Sequence, residues 1–267
     1  MSRNILRRFV SKWKSYRYRF VPWIALNLKD RSIRAVPTGS SDKIITDQTV
    51  EETLLKLFAA LNKIPQNGTG LNSATSLDVM MKVMGFKVER ATSQVGGTGV
   101  YVTDGMVPKG TVLAMYPGAI YFPYEPILLQ SISNPFIFRC IDGILIDGND
   151  KRLSKVVYRS CSKRDRLGPY MTCDVSWLTS HLDNPIALGQ YVNNHSKKFG
   201  ANVAYQEYNV TEDFPLHLMK YIPNVRYSPP SIHEGSESRV IRTVVLVSTR
   251  DIKAGEEVFS TYFTMVY

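Results

Sequence analysis

The sequence predicts a mainly β protein with short helices, its strands gathered in residues 86–267 behind an N-terminal helical appendage. Three observations carry that prediction. Beyond Gly85 the apolar runs are short and punctuated by Gly and Pro, the texture of many short strands. Ahead of Gly85, apolar residues recur at three- and four-residue spacing, as on one face of a helix. The net charge of +10 is confined to the start: of the 33 bases and 23 acids, residues 1–34 hold ten bases and only Asp30, leaving 23 and 22 for the rest. A nucleic-acid-binding domain with one basic face should look different, which weakens that reading for the body.

In the tail, residues 1–34, Leu6, Phe9, Val10, Trp13 and Phe20 lie near helical spacing, with Arg7, Arg8, Lys12, Lys14, Arg17 and Arg19 around the rest of the wheel. A basic amphipathic helix ending at Pro22 is expected. The longest apolar run there, 21–26, falls far short of the roughly 20 residues that cross a bilayer, so no transmembrane segment is expected. No secretory apolar region precedes a cleavage site. Three uses fit the pattern: a mitochondrial transit segment, an arm for an anionic surface (nucleic acid or lipid), or a helix packed on the body by its aromatic face.

Residues 35–85 read as a linker and short helices. The stretch 35–48 is rich in Ser, Thr, Asp, Gly and Pro. Thr49 and Glu52 form a capping box, and Val50, Leu54, Leu57, Phe58 and Leu61 follow at helical spacing until Pro65. A second helix is expected from Ser76 as N-cap through Val79, Met80 and Val83 to Gly85, with Met80, Met81 and Met84 as core filler. Strands are expected at 86–91, 100–103, 112–116, 136–141, 144–146, 203–208 and 240–248, and Asp142-Gly143 is a hairpin turn. Two insertions read as surface excursions: 151–166, with seven bases and one acid, and the polar, Pro-rich 211–238. Cys140, Cys161 and Cys173 are too few and too irregularly spaced for a disulfide framework or a zinc site. The four histidines show no metal-helix spacing. No metal and a reducing, intracellular compartment are expected, nucleus or cytoplasm first, with the tail leaving a mitochondrial destination open.

The chemistry-bearing segments come in a definite order. Gly96-Gly97-Thr98-Gly99-Val100-Tyr101 is a glycine-rich turn between strands; with no helix following, it is not a dinucleotide-binding turn. Next come Val107-Pro108-Lys109-Gly110 and Tyr116-Pro117-Gly118. Much later stand Asn194-His195-Ser196 and Asn202-Val203-Ala204-Tyr205, and then Ala254-Gly255-Glu256-Glu257-Val258, closing on Tyr262. Together, over residues 86–265, this set resembles the SET-domain lysine methyltransferases. The resemblance implies a SET-domain fold of small curled β-sheets around a pseudo-knot, in which the Asn194 segment and the C-terminus thread together. It implies S-adenosyl-L-methionine (SAM) as methyl donor and a protein lysine as acceptor. Gly97, Thr98, Gly99 and Tyr101 would line the donor, the main chain at His195 would take the adenine edge, and Asn194 the methionyl end. Tyr262 would be the catalytic tyrosine, also beside the donor, with Tyr116 and Tyr205 shaping the lysine channel.

Phenols suit that task. At pH 7.4 only about one lysine in a thousand is neutral, an offset of roughly 4 kcal/mol. A narrow apolar channel beside a sulfonium lowers the amine pKa by desolvation and like charge. Ring faces attract the incoming cation, and hydroxyls orient it. The chain departs from the family pattern at Lys197, Ala201, Ser260-Thr261 and Phe263, has Tyr191 near a customary Arg, and has no flanking cysteines, so another element must close the site. Ser260 with Tyr205 resembles members that stop at one methyl group. The expected function is SAM-dependent protein-lysine N-methylation of a non-histone or chromatin-context substrate; the alternative is a catalytically weak or inactive SET scaffold used as an interaction module.

Overall fold

The computed structural model describes residues 16–17, 34–36, 43–64, 73–165, 167–229, 240–261 and 264–266. The chain opens with β1 (Tyr16–Arg17) and β2 (Arg34–Val36). Tyr16 and Arg17 fall inside the expected amphipathic helix and are strand instead; the other positions of that helix lie outside the described residues. Helix α1 (Asp47–Asn62) starts earlier than expected. Its cap is Thr46, whose side chain accepts from the Thr49 N–H at 3.1 Å, and Asp47 adds a favourable charge in the first turn. Val50, Leu54, Leu57, Phe58 and Leu61 are buried, as their spacing predicts. Helix α2 (Ser73–Met84) likewise begins ahead of Ser76. Ser76 is no cap: it is buried, and its hydroxyl donates to the Leu182 carbonyl at 2.9 Å. Gly85, at φ +81°, ends that helix by donating to Met81 O.

The strands follow as β3 (Phe86–Thr92), β4 (Thr98–Val107), β5 (Val112–Met115), β6 (Gly118–Tyr121), β7 (Ile137–Arg139) and β8 (Leu145–Asp147), with a short helix α3 (Leu128–Ser131) between β6 and β7. Helix α4 (Arg152–Arg164) precedes β9 (Asn193–Asn194), β10 (Val203–Val210), β11 (Asn224–Arg226), β12 (Ile241–Ser248), β13 (Ile252–Lys253), β14 (Glu257–Ser260) and β15 (Thr264–Val266). They form three sheets. The largest runs β13-β4-β14-β10-β12-β5, with β3 on β4 and β9 on β14; a second runs β11-β6-β8-β7; a third runs β1-β15-β2. β5, β6 and β14 are buried on both faces, so their sequences are continuous rather than alternating.

Both expected excursions reach the interior. The basic segment 151–166 forms α4, whose buried positions are Ser154, Tyr158, Cys161 and Ser162. Two serines on the inward stripe hide its helical period from a reading of apolar spacing. Tyr158 donates to Asp174 O at 2.6 Å and meets Trp177 edge-on at 4.8 Å. Within 211–238, Phe214, Leu218, Tyr221, Ile222 and Val225 are buried, and β11 pairs parallel with β6. The early helices share this core: Phe58 lies 5.4 Å from Tyr221 and 6.4 Å from Phe214, ring to ring. Residues 44–45 of the expected linker are fastened too. Gln206, 1% exposed on β10, accepts from Ile44 N and Ile45 N and donates to Ile45 O. All three cysteines are free and buried. Among the described residues, no helix is long and apolar enough to cross a membrane.

Candidate active site

The glycine-rich turn closes the β3–β4 hairpin. Ser93 N donates to Gly97 O at 2.9 Å and Gly96 N to Ser93 O at 3.3 Å. Gly96 and Gly97 have φ of +112° and +71°, which only glycine adopts without strain, and the space beyond their Cα atoms is open. The hairpin is held from below by one carboxylate. Glu257, the first residue of β14 and 3% exposed, accepts from Ser93 Oγ at 2.5 Å, Gln94 N at 3.0 Å and the Tyr101 hydroxyl at 2.9 Å. Asn193 Nδ2 approaches it at 3.5 Å and donates to Thr98 O at 3.0 Å. A Cβ on Gly99 would stand 2.3 Å from Glu257 Oε1, so glycine there admits the carboxylate. Burial, then the Glu257 contact, raises the Tyr101 phenol pKa and keeps it protonated as a donor.

β14 is where distant segments cross. It pairs antiparallel with β4 and parallel with both β9 and β10, so residues 193–194 and 203 lie beside 259–260. His195 N donates to Ser260 O at 2.8 Å. Asn202, fully interior, donates from Nδ2 to Glu257 O, accepts from Phe259 N at Oδ1, and donates from its own N–H to Phe259 O. The Asn194–Asn202 excursion and the C-terminal strand are thereby locked together. Alternation sends neighbouring side chains of β9 to opposite faces, and it is the Asn193 amide that reaches the hairpin.

Three residues beyond Glu257, Ser260 Oγ donates to the Tyr205 hydroxyl at 3.1 Å. Tyr205 packs edge-on against Tyr116 with centroids 6.3 Å apart, and Phe138 of β7 lies 5.0 Å from Tyr205 and 5.4 Å from Tyr116. Tyr116 is wholly buried and donates to Phe136 O at 2.8 Å; Tyr205 is 9% exposed. Tyr191, near the position of the customary Arg, donates to Asp150 at 2.6 Å, with the Arg90 guanidinium over its ring at 5.4 Å.

Gly97, Thr98, Gly99, Tyr101, Asn194 and His195 thus gather around the hairpin and β14, and Tyr116 and Tyr205 share an aromatic cluster. Tyr262 lies outside the described residues. Sequence reasoning missed Glu257, Ser93, Asn193 and Phe138. The signal for Glu257 was an acid directly ahead of the apolar pair Val258-Phe259; Phe138 carries none, since another sheet delivers it. Elsewhere, Cys140, Asp142 and Glu207 bring ligand-type atoms within 4.8 Å of one another. Arg242 occupies both carboxylates at 2.7 and 2.6 Å, so the cluster is an ion-paired brace between sheets.

A donor of the SAM kind fits these residues. The hairpin presents bare main chain under open space at Gly96 and Gly97, and the main chain at His195 runs alongside through β14.

No family model matches the chain. It is similar to SET domain-containing protein 9 of Homo sapiens, 47% identical with all of both chains covered. To SET domain-containing protein 9 of Pongo abelii it is 46% identical over 88% of this chain and 97% of the relative. Among solved structures it is similar to ctPRC2 in an autoinhibited conformation bound to S-adenosylmethionine, at 14% identity over 66% of this chain and 15% of that one, TM-score 0.34. Full-length identity at this level, with the ordered motifs and the crossing at β14, means that the chain belongs to the SET-domain family, within the group of SET domain-containing protein 9.

Proposed function

We propose that the protein is a SAM-dependent protein-lysine N-methyltransferase. One observation carries the reading: β14 holds the glycine hairpin at Glu257 and the phenol cluster at Ser260, three residues or roughly 10 Å apart along a strand. A donor seat and an amine seat on one rigid element are what in-line transfer requires. SAM, when bound, supplies a methyl group on a sulfonium. The chain's own residues do the rest. Main chain at 96–99 and at His195, with Asn194, holds the donor. Tyr116, Phe138 and Tyr205 exclude water from the lysine amine, which favours its neutral form. The Tyr205 oxygen, oriented by Ser260, accepts from an amine N–H, and the family resemblance assigns the catalytic phenol to Tyr262.

Calorimetry with SAM tests the donor seat. Methyl-label transfer to lysate with mass-spectrometric site mapping, wild type against Tyr262→Phe, tests the chemistry. Tyr262-dependent transfer to lysine supports the proposal; SAM binding without it overturns it in favour of a binding scaffold. For the acceptor class the support is the basic face of α4, where Arg152, Arg159 and Lys163 are exposed beside Lys151 at its N-cap. Such a surface repels very basic peptides, which favours lysines flanked by acidic residues on non-histone proteins, or histone in the context of DNA. On a peptide array, equal or better turnover of a lysine flanked by several arginines would refute that preference.

A further inference from the structure

Helices α3 and α4 lie side by side and run in opposite directions. Asn134, just past α3, donates to Ser154 Oγ near the start of α4 at 3.4 Å. Glu125, just ahead of α3, acts electrostatically on Cys161 and Arg164 at the other end. The inward stripe of α4, Ser154, Tyr158, Cys161 and Ser162, is turned to the second sheet, which the helix touches at β6 and β11. At about 100° per residue, Leu153 and Val156 then point to solvent on the side nearer α3, and Arg152, Arg159 and Lys163 point to solvent beyond them. α3 adds Leu128, Leu129 and Ile132, and these five apolar side chains are between 43% and 74% exposed. Ile127 and Val157, packed against the core, floor the trough between the helices. Contiguous apolar exposure of this kind marks a surface that meets something other than water.

The charge along the trough has one sign. Residues 151–164 hold six bases and no acid. Lys155 is engaged with Leu178 O at 2.8 Å, and Arg164 with Asp165. Arg152, Arg159 and Lys163 make no ion pair among the described residues, and they form a row roughly 16 Å long on one flank of the apolar band. We propose that this trough is a docking surface for an amphipathic helix of another protein, with Leu, Ile or Val along one stripe and Asp or Glu along the adjoining flank. The stripe covers the apolar band, its ridge seated between α3 and α4, and the acidic flank meets the basic row. Charge complementarity selects this occupant. A nucleic acid would use the basic row alone and leave the apolar side chains in water. A second copy of the same face would bring more bases and no exposed acid, since Glu125 is buried. A bilayer shares the preference for positive charge but is flat and does not fill a trough. The proposal goes beyond methyl transfer and does not depend on it.

The test is fluorescence anisotropy of the full chain with a labelled helical peptide of about five turns, leucines on one stripe and glutamates on the adjoining flank. Its counterpart carries lysines in place of the glutamates. The acidic peptide is expected to bind at least about 30-fold more tightly than the lysine peptide at about 50 mM salt, and to lose most of that margin at about 500 mM. Leu129→Ser with Val156→Ser is expected to weaken the acidic peptide at least about tenfold. Arg159→Glu with Lys163→Glu is expected to reverse the preference, so that the lysine peptide binds more tightly, a gain that unfolding cannot produce. SAM affinity by calorimetry is expected to stay within about threefold in both variants, because the substituted side chains are exposed and remote from the glycine hairpin. Equal affinity for the two peptides, or no saturable binding of the acidic one, overturns the proposal. So does tighter binding to phosphatidylcholine vesicles with about 30% phosphatidylserine than to the acidic peptide, or a dimer in sedimentation that Leu129→Ser with Val156→Ser dissolves. If the intact protein transfers no methyl group, the proposed function fails, and the peptide arms still decide whether the trough is a docking surface.

Discussion

Glu257 is an acid surrounded by four donor residues from three places in the chain: Ser93 and Gln94, Tyr101, and Asn193. Glu257→Gln keeps the shape but turns one acceptor into a donor facing donors. A charge-assisted bond contributes about 1.5–3 kcal/mol, so SAM affinity should drop roughly 10- to 100-fold by calorimetry, with the far-ultraviolet circular dichroism unchanged. Unaltered affinity would show that the hairpin holds itself. A second buried acid lies away from the site. Burial raises the Asp174 pKa to about 7, against the bond from Ser176 N to its Oδ1 at 2.6 Å. The folded state then keeps the proton that the unfolded state loses near pH 4. Stability contributed by the neutral form should thus decline between about pH 4 and 7, by up to about 1.4 kcal/mol per pH unit, and level off above. Asp174→Asn preserves the Ser176 contact and should flatten that decline in urea titrations at pH 5, 6 and 7.

At the scale of elements, what the sequence made legible depended on who supplies the partners. The β3–β4 hairpin, β10 and β12 follow from local patterns, because Gly-rich turns and apolar runs carry their own instructions. α4 did not, since Ser154 and Ser162 take inward positions where a periodicity argument looks for apolar residues. β11 did not either; three buried residues, one of them Arg226, look like loop until β6 is placed beside them. The same holds within the site. The glycines, Tyr116 and Tyr205 were readable from ordered motifs, whereas the role of Glu257 exists only once residues 93–101 and 193 converge on it. Gln206 makes an element-scale prediction. Its side chain replaces a missing strand partner for residues 44–45, the approach to α1. Gln206→Leu leaves those backbone groups without their partner and should cost about 2 kcal/mol or more, measured as a shift in the urea midpoint.

At the scale of the whole molecule, the apolar core of the described residues runs from Val50 on α1 to Val258 on β14. The early helices are not a separately stable unit: Leu54, Leu57 and Phe58 are wholly buried, and the Phe58 ring lies against Phe214 and Tyr221. Fluorescence and far-ultraviolet circular dichroism should therefore report the same urea transition, and a chain of residues 86–267 alone should be unfolded or aggregated. An early transition confined to helix loss would contradict that.

The strand at residues 257–260 has partners that begin near residues 100, 193 and 203, and it is synthesised after all of them. Until residues 257–260 have left the ribosome, the carboxylate beneath the glycine hairpin and the hydroxyl beside Tyr205 are not in place. A chain cut before residue 257 should therefore lose the carboxylate beneath the hairpin and the hydroxyl beside Tyr205 together, while keeping most of the polypeptide's mass.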